Sequence, residues 1–161
     1  MAVDPENRAL WRWSPHRLEA EAIRDSLLAI SGELDRTLGG KSIVEEQPTS
    51  DPRQLRRTIY LQQKRSHLPE VQELFDAPTA AESCPLRHVS TVSLQPLYLL
   101  NSTFVHGRAQ AFAKRAGSVE RAFELALGRP PSTVELEGAK LLDLPSLCHA
   151  LFNLNEFVYV E

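Results

Sequence analysis

Cysteine is scarce in this sequence. Two thiols, Cys84 and Cys148, stand in 161 residues; one disulfide is conceivable, and two buried thiols are the alternative. Their spacing fits no zinc pattern, and the CxxCH signature of haem attachment is absent. Long apolar runs are also missing. No stretch approaches the roughly 18–20 apolar residues that a membrane span requires. The opening MAVDPENRALW lacks the charged region and apolar core of a signal peptide. The expectation is therefore a cytosolic chain or a piece of a longer protein whose targeting sequence lies upstream. Charge of one sign is not in excess either. With 18 Lys and Arg against 21 Asp and Glu, the net charge is -3, which gives no overall field favouring nucleic acid. The five histidines include no i, i+4 pair of the kind that clips a metal to one helix face, and Cys148 and His149 diverge as neighbours on a helix. No metal site is expected.

What is there describes a globular, mainly α fold. The chain is 42% hydrophobic and 24% charged, an ordinary balance for one domain with a real core, here 1–161. Ser14-Pro15 reads as an N-cap followed by proline, and Leu18, Ala22, Ile23, Leu27 and Ile30 recur at helical spacing. A helix over 15–31 follows, with Arg17, Glu21, Arg24 and Asp25 on its solvated face and Gly32 as its stop. Residues 39–52, with a Gly pair and two prolines, read as a loop. The β-prone run Thr58-Ile59-Tyr60-Leu61 reads as an extended segment, with Ser42-Ile43-Val44 as a partner for one short β-hairpin. Pro69 opens a short helix. Ser93, Asn101 or Ser102, Ser118, the Ser132–Glu135 capping box and Asp143 then open successive helices, with Gly117 and Gly128 as stops. A compact bundle of six or seven helices results.

The blocks LWRWSPHRLEAEAIRDSLLAISGELD, ELFDAPTAAESCPLRHVSTVSLQPLYLLNSTFV, ERAFELALGRPPS and LCHALFNLNEFVYVE cover most of the chain. Together they resemble the C-terminal part of the planctomycete-type, cytochrome-associated C-terminal domain of unknown function. The resemblance implies a large exported protein and an extracytoplasmic location, periplasmic or at the cell surface. It implies no catalytic residue set. The haem-bearing module of such proteins lies outside this chain, so no cofactor is expected here.

Two groups of residues carry chemistry by type. In CPLRHVSTVSLQ, Cys84, Arg87, His88, Ser90, Thr91 and Gln95 crowd together, with Asp76 shortly before. A hydrolase directed at carbohydrate or ester would use Ser90 or Cys84 as nucleophile, His88 as base and Asp76 to orient it. No elbow motif frames Ser90, and a polar connection entering a buried helix needs the same residue types to satisfy its backbone. The second group is basic: Arg53, Arg56, Arg57, Lys64 and Arg65, with His67. Arginine suits bidentate contact with carboxylates or anionic sugars, and a solvated or internally paired edge is the plainer account. Trp11 and Trp13 suit sugar stacking, or pack back on the first helix as a staple. Asn101-Ser102-Thr103 matches a glycosylation sequon, but capping accounts for it.

Every polar cluster has an adequate structural account. The expected function is thus a non-catalytic scaffold or protein-interaction module. Its partners would be other domains of the parent protein, another protein or a polysaccharide, but not nucleic acid. The alternatives are the hydrolase and a glycan-binding module.

Overall fold

The computed structural model describes residues 4, 6–44 and 52–160. The elements follow as β1 (His16–Arg17), α1 (Ala20–Ser31), α2 (Glu70–Leu74), α3 (Leu94–Asn101), α4 (Thr103–Ala116), α5 (Val119–Leu127), α6 (Thr133–Ala139), α7 (Leu144–Phe152), α8 (Asn155–Val158) and β2 (Tyr159–Val160). The mainly α architecture agrees with the helical spacing of the sequence.

α4 is the central helix because its apolar residues fall on one stripe. Val105, Ala109, Phe112 and Ala113 are buried at i, i+4, i+7 and i+8. That stripe packs against α7 and α1. Phe112 stacks on Phe152 of α7 with ring centroids 5.4 Å apart, and Phe152 meets Phe157 of α8 at 5.2 Å. Each such buried aromatic contributes about 1.5–3 kcal/mol. From α1, Ala20, Ile23 and Leu27 complete this side of the core. Cys148 lies fully buried among these side chains, which pushes its thiol up to about 12, whereas Cys84 is exposed. The two cysteines are free thiols.

Helix ends follow local chemistry. The side chains of Ser118, Ser132 and Asp143 accept N–H bonds at the starts of α5, α6 and α7, and Ser132 with Glu135 forms the reciprocal capping box. Gly32, Gly117 and Gly128 end their helices in the left-handed conformation.

Three sequence expectations are relocated. The first helix starts at Ala20 rather than residue 15, because His16–Arg17 is taken into an antiparallel pair with Tyr159–Val160. The short antiparallel pair therefore joins the two ends of the fold. Thr58–Tyr60 is a 3₁₀ turn, since Asp25 accepts from both the Thr58 N–H and its hydroxyl. Ile43 and Leu61 still meet, in an isolated parallel bridge. The expected loop at 39–52 begins at Gly39 and Gly40, both with positive φ, while its 45–51 portion lies outside the described residues.

Arginines then fasten the irregular segments to the helices. Arg24, placed on a solvated face by periodicity, is buried and donates to the carbonyls of Arg56 (2.9 Å) and Gln54 (2.5 Å). Arg56 is also buried, with Nη1 on the Lys41 carbonyl at 3.1 Å and Nη2 on those of Thr37 and Gly39, its guanidinium 3.8 Å from the Tyr60 ring centroid. Arg115 of α4 donates to the Ala29 and Ile30 carbonyls at the end of α1. Most of these carbonyls lie in irregular segments or at a helix end, although Ala29 also accepts from the Gly32 N–H, and a guanidinium with five donors answers several at once.

Candidate functional site

The 84–95 connection is held by two ionic anchors. The first is Asp76, just past α2, whose backbone stands at a φ of 60°. One of its carboxylate oxygens accepts from the Ser90 N–H (2.8 Å) and from Arg17 Nη2 (2.6 Å). The Ser90 hydroxyl donates to the carboxylate as well, at 2.7 Å. Burial works to raise the Asp76 pKa, but the Ser90 bonds and the Arg17 charge outweigh it and the net shift is downward. The second anchor is Arg87, which grips Glu21 of α1 through both terminal nitrogens (2.8 and 3.1 Å), with Glu19 3.3 Å away. Its pKa rises, chiefly through the bonds to Glu21. Gln95, buried at the start of α3, donates to the carbonyls of Leu74 and Ser90, closing the connection against α2.

This geometry separates the residues that a hydrolase needs together. Ser90 bonds Asp76 directly with no imidazole between them, and His88 is exposed with no hydrogen bond among the described residues. Cys84 is exposed, and its thiol donates to the Leu86 carbonyl at 3.2 Å. Thr91 is exposed beside them. The arrangement of nucleophile, base and orienting carboxylate expected from residue type is not assembled. The reason is that Asp76 is claimed by Arg17, which arrives from β1 across 59 positions.

The basic group does not form one face. Arg56 points inward onto loop carbonyls, while Arg57 lies outside, 3.7 Å from Asp25. Arg53, Lys64 and Arg65 are exposed, and Lys64 sits in a tight turn with His67. Trp11 and Trp13 are 65% and 68% exposed and do not staple a helix, because none begins beside them. The Trp11 indole donates to the Asp4 carbonyl, and Trp13 lies 5.5 Å from the His16 ring.

A cavity of about 240 Å³ lies between Arg17, Phe75, residues 91–93, Gln95 and Pro96, and the α7–α8 corner at Asn153. Arg17 and Asn153 both line it, and neither is among the site residues expected from the sequence. Arg17 was assigned to a solvated helix face, and Asn153 carries no motif. Ser14-Pro15 carries a helix-start signal next to Arg17, but the pairing with Tyr159–Val160 makes that segment a strand.

α3 is apolar on both sides. Gln95, Tyr98 and Leu99 are buried, while Leu94, Leu97 and Leu100 on the opposite face are 56%, 48% and 47% exposed. Leu86, Val89 and Val92 of the preceding connection are exposed as well. Among the described residues no group of three or more His, Cys, Asp or Glu is arranged to hold a metal ion, and no helix is long and apolar enough to cross a membrane.

Residues 1–142 match the family model PSD1, described as a protein of unknown function (DUF1553). No curated protein and no solved structure matches the chain.

Proposed function

The chain belongs to the PSD1 family of proteins of unknown function, and from that premise we propose that it is a non-catalytic interaction module. The observation that carries the reading is the outer face of α3. A helix that is hydrophobic all round is a buried helix, and LQPLYLLN has no charged residue with which to meet water. Leu94, Leu97 and Leu100 leave an apolar row on one side, and Leu86, Val89 and Val92 of the preceding connection are exposed too. Rows of this kind mark protein contacts. The anchors at Asp76 and Arg87 hold the approach to this helix rigid, so the row is presented at little cost in conformational entropy on docking. Its partner is another domain of the parent protein or a separate protein. The quoted sequence blocks support the finer assignment to the planctomycete-type, cytochrome-associated form, and with it an extracytoplasmic location.

A photoreactive side chain at position 97, in the protein expressed in its own cells, tests the reading. The expected result is one dominant cross-linked segment, identified by mass spectrometry and lost when Leu94→Glu is added. Leu94→Glu should leave stability within about 0.5 kcal/mol, as half-exposed positions usually do. Diffuse labelling, unchanged by Leu94→Glu in a folded protein, would sink the proposal.

A further inference from the structure

We propose that residues 6–13, latched to Asp4, form a platform for a neutral oligosaccharide whose sugar rings lie against Trp11 and Trp13. Tryptophan is highly buried on average. Here both tryptophans of the chain stand on the surface beside Leu10, itself 83% exposed, and none of the three joins the hydrophobic core. The segment is held by its own bonds. Asp4 accepts the Ala9 N–H at 2.7 Å, and the Asn7 side chain accepts the Arg12 N–H at 3.2 Å and donates to the Arg12 carbonyl at 2.7 Å. The backbone is left-handed at Asn7 and Leu10, with φ of 56° and 52°. Asparagine eases that conformation with a short polar side chain, and leucine has none. Strain of this kind persists only where the surroundings fix it, and it gathers at ligand clamps. What the bonds fix here is a pair of displayed indoles.

Each ring has a polar group beside it. The Arg12 guanidinium stands 5.3 Å from the Trp11 ring centroid, and it has no hydrogen-bond acceptor or carboxylate among the described residues, so its N–H donors are open to solvent. The Trp11 indole N–H is spent on the Asp4 carbonyl at 3.0 Å, which fixes the ring. The His16 ring lies 5.5 Å from that of Trp13, and its Nδ1 bonds the Ser14 carbonyl. A carbonyl only accepts, so Nδ1 carries the proton and Nε2 of the neutral ring is left as an acceptor. Flat apolar rings flanked by a donor and an acceptor match a pyranose, which has C–H groups above and below its ring and hydroxyls around its edge. Charge speaks against a lipid surface. Asp4 and Glu6 balance Arg8 and Arg12, and Arg8 is paired with Glu6 at 2.6 Å, whereas anchoring on anionic lipid draws on an excess of Lys and Arg. The platform shares no residue with the outer face of α3, so the two sites stand or fall separately.

The chain has no tryptophan besides these two, so its intrinsic tryptophan fluorescence reports on this segment alone. The experiment is a fluorescence titration of the 161-residue chain with cellohexaose, xylohexaose, mannohexaose and chitohexaose, and separately with vesicles of phosphatidylcholine and phosphatidylglycerol. At least one oligosaccharide should move the emission to shorter wavelength along a saturable curve. Trp13→Ala, a surface change that leaves the core intact, should weaken that binding by about tenfold when measured by calorimetry. No saturable shift with any of the four oligosaccharides would overturn the proposal on the wild-type chain alone. So would a shift with the vesicles only, or equal binding by a folded Trp13→Ala variant.

Discussion

Asp76 joins two demands at one position, a left-handed backbone and a carboxylate that three N–H or O–H donors share. Asparagine tolerates the same backbone but brings no charge and turns one acceptor into a donor. Alanine fails on both counts. Asp76→Asn should therefore cost about 1–2 kcal/mol and Asp76→Ala about 2–4 kcal/mol, from lost charge-assisted bonds and added backbone strain. Urea denaturation of both variants checks this, and an alanine variant no worse than asparagine would refute the backbone part. The sequence marks Asp76 as a candidate by type, with His88 as its partner only in the hydrolase alternative, whereas its bonds go to Ser90 and Arg17. It could offer His88, twelve positions on, but Arg17 reaches Asp76 only after β1 has paired. Arg24 was misplaced for a related reason. Helical periodicity counts every arginine as outward, while the carbonyls of Gln54 and Arg56 that draw it inward lie in an irregular segment no periodicity describes.

The helix boundaries that were legible are those set within a few residues. Ser118, the Ser132–Glu135 box and Asp143 act on N–H groups three positions away, so the sequence carries the whole interaction. The start of α1 was not legible because its competitor, Tyr159–Val160, is far along the chain. The 3₁₀ turn at Thr58–Tyr60 likewise depends on Asp25. Two glycines test how far backbone preference and packing act at this scale. Gly32 ends α1 at a φ of 81°, and an added Cβ would stand 2.9 Å from Arg115 Cδ, the side chain that holds the Ala29 and Ile30 carbonyls. Gly107 lies inside α4 with nothing within 4 Å of such a Cβ. Gly32→Ala should lose about 1–2 kcal/mol and Gly107→Ala should gain about 0.5–1 kcal/mol. Equilibrium unfolding distinguishes the signs, and a destabilised Gly107→Ala would show that α4 is packed more tightly there than its surroundings indicate.

For the molecule as a whole, acid is the informative perturbation. Glu135, bonded to Arg129 and to the Ser132 N–H, is lowered from 4.5 to about 2, and Glu21, Asp76 and Glu156 also shift downward. A carboxyl with a depressed folded pKa contributes stability that is fully present above its unfolded value and lost as pH falls through the folded one. For Glu135 that window runs from about pH 4.5 down to about 2. Arg129 holds Glu135 and Glu156 together, so Arg129→Gln should lower the thermal midpoint at neutral pH. The gap from wild type should then narrow across that window, and parallel curves would contradict the assignment. The mainly α character was legible at this scale because apolar spacing is a property of each helix, whereas the joining of the ends was not. His16 pairs with Val160, and the Leu18 N–H donates to the Val158 carbonyl at 2.8 Å. That seam has a timetable. On the ribosome α1 emerges early, but its flanking strand waits unpaired, and with it Arg17, until residues 157–160 have left the exit. The cavity that Arg17 lines is thus among the last parts of the fold to exist, and a nascent chain stalled before Phe157 would carry α4 and α7 without it.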